Sequence, residues 1–211
     1  MGSMHTGLEE TENGFERMAA YYSERAVGGV GMIITGGIAP NEESGSENHA
    51  KLSTEAEADQ HKIVTSAVHQ KAPDVKICLQ ILHAGPLART TASVAPSAIK
   101  SPISKFIPNE LDTAGVEKQI NDHVRCAVLA KKAGYDGVEI IGSAGYLVSS
   151  FLVQKTNQRK DEYGGSYENR MRFALEIIKR TRRAVGKDFI LIFRIAAMDM
   201  LQGGMSWEEV V

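Results

Sequence analysis

The sequence predicts an α/β protein built on parallel strands. Near-continuous apolar runs rich in Ile, Leu and Val recur along the chain, which is typical of strands covered on both faces. Stretches with helical apolar spacing separate these runs, so that strand and helix alternate. With 211 residues, 43% of them hydrophobic, the chain can bury one good core, and we expect one domain.

Four apolar runs read as strands. They are 30–37 (VGMIITGG), 75–82 (VKICLQIL), 137–142 (GVEIIG) and 189–196 (FILIFRIA). The opening MGSMHTG is similar to the end of another strand, so the sequence predicts about five strands of the eight in a complete barrel.

Helical patterns fill most of the intervals between the strands. They cover 15–29, 57–71, 116–135 and 167–186. Near the end, Ser206 followed by Glu209 has the spacing of a capping box and predicts a further helix start. A Pro-, Ala- and Ser-containing excursion, 83–113, follows the second strand.

Alternating strands and helices suit both a doubly wound sheet and a (β/α)8 TIM barrel, and the strand ends favour the barrel. Gly36 and Gly37, Gln80, the turn before Tyr146, and Arg194 all lie at such ends, where barrels assemble their active sites. The G-x-G-x-x-G of a dinucleotide-binding unit does not follow the first strand. We therefore predict a TIM barrel present only in part, as one domain over 1–211.

Composition argues against several classes of partner. The formal net charge of −2 gives no attraction to nucleic acid or anionic membrane. Apolar runs fall far short of the roughly 18 residues of a membrane span, and no secretory leader is evident. Cys78 and Cys126 lie far apart and suit buried apolar positions. We predict a cytoplasmic protein with no metal site, no nucleic-acid partner and no membrane partner.

Three polar side chains at strand ends are candidates for chemistry. Tyr146, with an ordinary pKa near 10, stays protonated at neutral pH and can deliver a proton to a carbanion; the alternative is an aromatic on the barrel rim whose hydroxyl bonds to backbone. Arg194 ends an apolar strand, where burial would demand a partner such as Glu139 or a bound group. Gln80 is either a ligand contact or an amide tying strand to strand.

One long motif carries a resemblance to a known family. The stretch GYLVSSFLVQKTNQRKDEYGGSYENRMRF resembles the Old Yellow Enzyme family of FMN-dependent ene reductases, and the resemblance covers essentially the whole chain. The matching positions are Asn157, Arg159, Asp161, Tyr163, Gly164, Gly165, Ser166, Glu168, Asn169 and Arg170. The opening MGSMHTGLEE, the turn GGIAP and RCAVLAKKAGYDGVE are most similar to bacterial NADPH-dependent 2,4-dienoyl-CoA reductases within that family.

The resemblance implies roles for particular residues. It makes Tyr146 the proton donor and Lys155 a contact for acyl-CoA substrate. The implied FMN contacts are Ser3, Met4, His5, Gly37, Gln80 and Arg194. Alternatives stay open: Gly36 and Gly37 could provide positive φ, and Lys155 could be a solvated lysine. His83 is interpreted as structural, and the polar motif 157–170 as a brace for its loop.

The implied function is reduction of an activated C=C bond, most closely of 2,4-dienoyl-CoA to enoyl-CoA in β-oxidation of unsaturated fatty acids. NADPH would be the ultimate donor, through FAD and [4Fe-4S] modules that, like the C-terminal half of the barrel, are not found in this sequence. One alternative is a 2-enoate or enone reductase of the same family. Another is a truncated barrel without catalytic activity of its own, which self-associates through open barrel edges.

Two departures from the family bear on substrate. Many ene reductases carry a His-x-x-His or His-x-x-Asn pair before the tyrosine to bind a carbonyl oxygen, and here those positions are Ile141 and Ala144. Neither side chain donates a hydrogen bond, so this pair cannot polarise a small enone. Pro86 stands where the family often has arginine.

Overall fold

The structure is a computed structural model that describes residues 1–45 and 49–211. In that part of the chain, strands β1 to β6 span Met32–Ile38, Lys76–Ile81, Val94–Ala95, Asn109–Glu110, Gly137–Gly142 and Ile190–Ile195. Helices α1 to α6 span Gly14–Val27, Glu55–Lys71, Thr113–Lys132, Leu147–Leu152, Tyr167–Val185 and Trp207–Val210. Short 3₁₀ turns lie at Leu8–Glu10, Glu42–Ser44 and Gly85–Leu87.

The main sheet is parallel throughout, and its strands follow one another in the order β1-β2-β5-β6. A doubly wound sheet reverses direction and places its first strand in the interior, whereas a barrel adds each new strand beside the last. The order in the sheet is the order along the chain. The α/β prediction is confirmed, and this topology is that of consecutive barrel strands.

The N-terminal segment is not a strand, contrary to the prediction. Residues 1–6 have no regular secondary structure. Met1 still pairs with β1, since its amino group donates to the Met32 carbonyl at 2.6 Å and its own carbonyl accepts from the Ile34 amide at 3.0 Å. Farther along β1 the Gly36 amide donates to the Tyr22 hydroxyl at 3.0 Å instead of to the N-terminal segment, and Gly7, at φ 70°, turns the chain into the first 3₁₀ turn. The sheet therefore has four strands instead of about five.

The strands bury one face against the helices. Ile33, Ile77 and Val138 lie in a core shared with α1, α2 and α3, and Ile140 lies in a second core with Phe173 of α5. Burial of such side chains is the main stabilising contribution to the fold. The alternate residues of the strands face the barrel interior instead.

Helix boundaries follow the sequence patterns closely, with one omission. The predicted capping box is confirmed: the Ser206 hydroxyl accepts from the Glu209 amide at 3.3 Å and opens α6. The omission is α4, which is buried at every residue and shows no helical periodicity. None of the described helices is long and apolar enough to span a membrane.

Candidate functional site

A cavity of about 1010 Å³ opens at the C-terminal ends of the sheet strands. The carboxyl ends of parallel strands meet at one edge, so residues distant in sequence come together there. Six predicted site residues line this cavity: Ser3, His5, Gly37, Gln80, Tyr146 and Arg194. The two other predicted residues, Met4 and Lys155, are not among its lining residues.

Gln80 and Glu139 form a buried pair on the inner face of the sheet. The two residues are register partners on β2 and β5, and Gln80 Nε2 donates to Glu139 Oε1 at 2.7 Å. Their exposed fractions are 3% and 5%. The amide therefore does tie strand to strand, as the sequence allowed, while Gln80 also lines the cavity.

Arg194 lies nearer the mouth of the cavity. It is the register partner of Ile141, and it is exposed. Of the two alternatives left open for Arg194, the ion pair with a carboxylate such as Glu139 is not observed, because Gln80 donates to Glu139 and Arg194 is open to the cavity. Across the described residues, the Arg194 side chain makes neither a salt bridge nor a hydrogen bond. A cation so placed is available to a bound group.

Tyr146 lies at the start of α4, where its backbone is the N-cap. Ala144 at φ 61° and Gly145 at φ 77° make the left-handed turn that brings it there from β5. The side chain is half-buried and lines the cavity. Its hydroxyl forms no hydrogen bond with any described residue, so the rim alternative, in which the hydroxyl bonds to backbone, is not observed.

The exit of β2 fixes the position of Tyr146. The His83 carbonyl accepts from the Leu147 amide at 3.0 Å, and His83 Nδ1 accepts from the Gly85 amide at 3.0 Å. Gly85 has φ +58°, and a Cβ added to it would lie 2.7 Å from the Leu147 amide N and Cα. His83 is buried, and burial together with the neighbouring His123 imidazole holds the pKa of His83 well below its usual range. These contacts support the structural interpretation of His83.

Neither Gly36 nor Gly37 has positive φ, so the backbone conformation does not require glycine there. The close packing of neighbouring atoms does. A Cβ on Gly36 would lie 2.9 Å from the Met4 carbonyl O, and one on Gly37 would lie 2.5 Å from Leu82 Cδ1. The positive-φ interpretation of these glycines was therefore wrong. The Met4 side chain is 50% exposed, so Met4 contributes its backbone at this edge.

The polar motif after α4 braces its loop. Asn157 Nδ2 donates to the carbonyls of Phe151 and Tyr163 at 2.8 and 2.7 Å. Buried Arg170 donates from Nε to the Leu152 carbonyl at 2.8 Å and forms an ion pair with Glu209. Lys155 within this region is exposed, and its amide donates to the Gly203 carbonyl at 3.2 Å. The bracing predicted for the motif is present.

Sequence reasoning missed the residues that the 83–113 excursion brings to the cavity. Arg89, Ile103, Lys105 and Phe106 all line it. The signal in the sequence was weak, because isolated cations in a loop rich in Pro and Ser usually face solvent. Within the excursion, β3 and β4 form a small parallel ribbon, whose pairing joins residues 15 apart along the chain.

A second depression, of about 670 Å³, lies on the helical side between α3 and α5. Its charged side chains are largely paired with one another, as in the Arg180–Glu117 and Arg180–Glu176 ion pairs. Strand ends do not contribute to it. Among the described residues, no group of three or more His, Cys, Asp or Glu side chains could hold a metal ion.

Curated relatives are similar to this chain along most of its length. NADH oxidase of Thermoanaerobacter brockii is 36% identical over 217 residues, which is 99% of this chain and 33% of that protein. NADPH dehydrogenase of Clostridium acetobutylicum is 35% identical over 196 residues, 90% of this chain and 57% of the other. The chain thus spans about a third to somewhat over half the length of these relatives.

Solved structures match the fold. A 2-naphthoyl-CoA reductase in complex with 2-naphthoyl-CoA superposes with a TM-score of 0.87 at 28% identity, covering 99% of this chain and 35% of the other. The Old Yellow Enzyme homologue from Zymomonas mobilis gives a TM-score of 0.81 at 28% identity, over 92% and 57% of the two chains. The observed sheet is therefore part of a TIM barrel of the Old Yellow Enzyme type.

A family model decides the membership. The model described as NADH:flavin oxidoreductase / NADH oxidase family matches residues 1–211. The motif from Asn157 to Arg170, the tyrosine at the exit of β5 and the strand-end residues Gln80 and Arg194 lie inside that match. The chain belongs to the NADH:flavin oxidoreductase / NADH oxidase family, as the likeness to Old Yellow Enzymes predicted.

Proposed function

We propose that residues 1–211 form the FMN-binding, proton-donating part of a reductase that acts on an activated C=C bond with a nicotinamide coenzyme as electron source. One observation carries the proposal: Tyr146, with a hydroxyl that has no hydrogen bond in the described chain, lines the same cavity as Gln80 and Arg194. A proton donor, an amide and an open cation therefore surround one space at the strand ends. The rest of the barrel and any FAD/NADPH module lie outside this chain in the proposal.

The cavity lining fits a flavin. Gly37 lines the cavity at the end of β1, Gln80 offers amide groups, and Arg194 offers positive charge that would stabilise a reduced, anionic ring. Ser3, Met4 and His5 would contribute backbone and side chains along the N-terminal edge. FMN, when bound, supplies the hydride.

Tyr146 would supply the proton. A phenol hydroxyl is a proton donor, and that of Tyr146 would donate to the carbanion that develops as the C=C bond is reduced. We expect Tyr146→Phe to lower turnover of dienoyl-CoA by roughly 10²- to 10⁴-fold, while flavin content and its reduction by NADPH stay near wild type. Stopped-flow measurement of the two half-reactions on the protein at its natural length makes this test. Undiminished turnover in the variant would remove Tyr146 from the chemistry.

A 2,4-dienoyl-CoA thioester is the substrate we propose. Two observations favour a thioester over a small enone: Ile141 and Ala144 line the cavity without a hydrogen-bond donor in their side chains, and a similar solved protein binds 2-naphthoyl-CoA. Lys155, exposed beside the α4 loop, is the proposed contact for the acyl-CoA. The competing candidate is a 2-enoate or enone reductase. Comparing kcat/KM for dienoyl-CoA with that for the free enoate separates the two.

A flavin-free assembly role is the second candidate function, and the edge of the sheet favours it. In the described part of the chain β6 pairs only with β5, and its residues are half-buried or exposed. Such an edge can pair with a second copy. Stoichiometric FMN binding and cooperative unfolding of the 211-residue chain would exclude this candidate. A colourless oligomer that FMN cannot reconstitute would support it.

A further inference from the structure

We propose that Arg89 and Lys105 form a subsite at the mouth of the cavity for the phosphate groups of an adenine nucleotide moiety. The inference rests on the proposed function, because it concerns a ligand that reaches Tyr146 through the same opening. It adds a binding site on the excursion that follows β2.

The excursion is anchored, so its cations have a defined place. The Asn109 amide donates to the Ser93 carbonyl at 2.8 Å within the β3–β4 ribbon. The Gln158 amide donates to Ser97 Oγ at 2.9 Å, and Arg159 Nη1 donates to the Pro96 carbonyl at 3.2 Å. These bonds join the excursion to the loop after α4. Positions 93–97 and 109, which lie between Arg89 and Lys105 and just after Lys105 along the chain, are thus fixed in the fold.

Uncompensated positive charge surrounds the mouth. Among the described lining side chains that are charged at neutral pH, the cations are Arg89, Lys105 and Arg194, and the carboxylate is Glu10. Glu10 already lies near His5, with 3.7 Å between Oε1 and Nε2. In the described chain the three cations make no ion pair with any carboxylate. An anionic ligand would supply the missing partner.

Arg89 follows closely on a turn that approaches the residue before Tyr146. Arg194 is at the end of β6, where the flavin ring is proposed. Arg89, in contrast, follows the Gly85–Leu87 turn, and Leu87 Cδ1 lies 3.8 Å from the place of a Cβ on Gly145, next to Tyr146. Arg89 is therefore placed to hold the distal part of a molecule whose reacting end is at Tyr146, and Lys105 lines the same cavity.

The chemistry of the mouth favours a phosphorylated nucleotide. An arginine binds phosphate through paired N–H donors, and a lysine adds a point charge. In the same cavity lining, Ile103, 83% exposed, and the half-buried Phe106 offer apolar surface on which a purine can stack. A nicotinamide coenzyme with a 2′-phosphate and coenzyme A with a 3′-phosphate both carry this combination.

The test measures binding of adenosine 2′,5′-bisphosphate, adenosine 3′,5′-bisphosphate and plain adenosine by calorimetry, using the protein at its natural length. We expect Arg89→Gln and Lys105→Gln each to raise the Kd of the preferred bisphosphate about 10-fold. Lys100→Gln is the matched control, because Lys100 is an exposed lysine of the same excursion that does not line the cavity. Tighter binding of the 2′,5′ isomer identifies the coenzyme as the source, and tighter binding of the 3′,5′ isomer identifies a CoA thioester.

Three results would overturn the subsite: neither bisphosphate binds, both variants bind like wild type, or the variants lose affinity for FMN instead of for the bisphosphates. Failure of the proposed function looks different. Flavin content of the wild-type protein, and oxidation of its dithionite-reduced flavin by a 2,4-dienoyl N-acetylcysteamine thioester, which has no phosphate, report on the reductase alone. A flavin-containing protein that reduces this thioester but binds neither bisphosphate would overturn the subsite and leave the reductase standing. A flavin-free protein that binds a bisphosphate, and whose Arg89 and Lys105 variants bind it more weakly, would overturn the reductase and leave the subsite standing.

Discussion

At the scale of single residues, the barrel interior contains a buried carboxylate whose hydrogen bond comes from an amide. Glu139 is 5% exposed, and Gln80 Nε2 donates to it at 2.7 Å. Burying a carboxylate is unfavourable unless its oxygens are satisfied. Gln80 therefore has a structural task in addition to the FMN contact we propose for it.

Replacing Gln80 by leucine removes this donor while keeping similar volume. We expect Gln80→Leu to lower the free energy of unfolding by roughly 1–3 kcal/mol, because Glu139 is left buried without its amide partner. Urea unfolding measures the change. In the double variant Gln80→Leu, Glu139→Leu the loss should be smaller than the sum of the two single losses. Strict additivity would mean that the hydrogen bond contributes nothing.

Which site residues a sequence can reveal depends on where they lie. Tyr146, Gln80 and Arg194 are predictable because each ends an apolar strand, and strand ends are a local feature. The partner of Gln80 is not predictable in this way, since it depends on the register between β2 and β5. Arg89 and Lys105 were missed for a related reason: only the folded excursion brings them to the cavity.

At the scale of elements, the same distinction separates predicted from missed structure. The strands of the main sheet and the long helices are predictable from the sequence, because their apolar residues follow a clear pattern over a sufficient length. Helix α4 carries neither, because all of Leu147–Leu152 is buried. The strands β3 and β4 have only two residues each, which is too short for a recognisable pattern. They are strands only because they pair with each other in the folded excursion.

The junction between the Gly85–Leu87 turn and α4 gives a prediction at this scale. Gly85→Ala should both strain the backbone at φ +58° and push a Cβ to within 2.7 Å of the Leu147 backbone. We expect a stability loss of roughly 1–3 kcal/mol together with a fall in kcat, because Tyr146 directly precedes Leu147.

Gly165→Ala is the matched control for the junction. Gly165 also has positive φ, at +84°, but a Cβ there meets nothing within 4 Å. The Gly165→Ala variant should lose stability because alanine is strained at positive φ, but its kcat should stay near that of the wild type. Equal effects of the two substitutions on kcat would mean that the Gly85–Leu147 contact does not position Tyr146.

At the scale of the whole molecule, the fold keeps three histidines in its interior. His61, His83 and His123 are all buried, on α2, after β2 and on α3. Burial lowers the pKa of His61 to about 4 and also lowers the pKa of His83 and His123. The native state therefore resists protonation of these rings far more strongly than the unfolded chain does.

This difference predicts acid sensitivity. Above pH 6.5 the rings are neutral in both states, and the full stability is present. As the pH falls below 6.5 the unfolded chain binds protons that the native chain does not, so stability falls; His61 alone would contribute roughly 3 kcal/mol by pH 4.

Urea unfolding between pH 7 and pH 5, above the range where carboxylates titrate, should show this decline. His61→Phe should reduce the slope against pH, since one of the titrating rings is gone. A stability that stays flat from pH 7 to pH 5 would show that these histidines do not govern the pH response.

The match between strand order and chain order bears on how the protein is made. Each strand of the main sheet lies beside the one synthesised just before it, in the order β1, β2, β5, β6. A strand leaving the ribosome thus finds its hydrogen-bonding neighbour already folded, and no earlier strand has to wait for a later one to be inserted between existing neighbours. The sheet can grow strand by strand from its N-terminal side at the pace of translation.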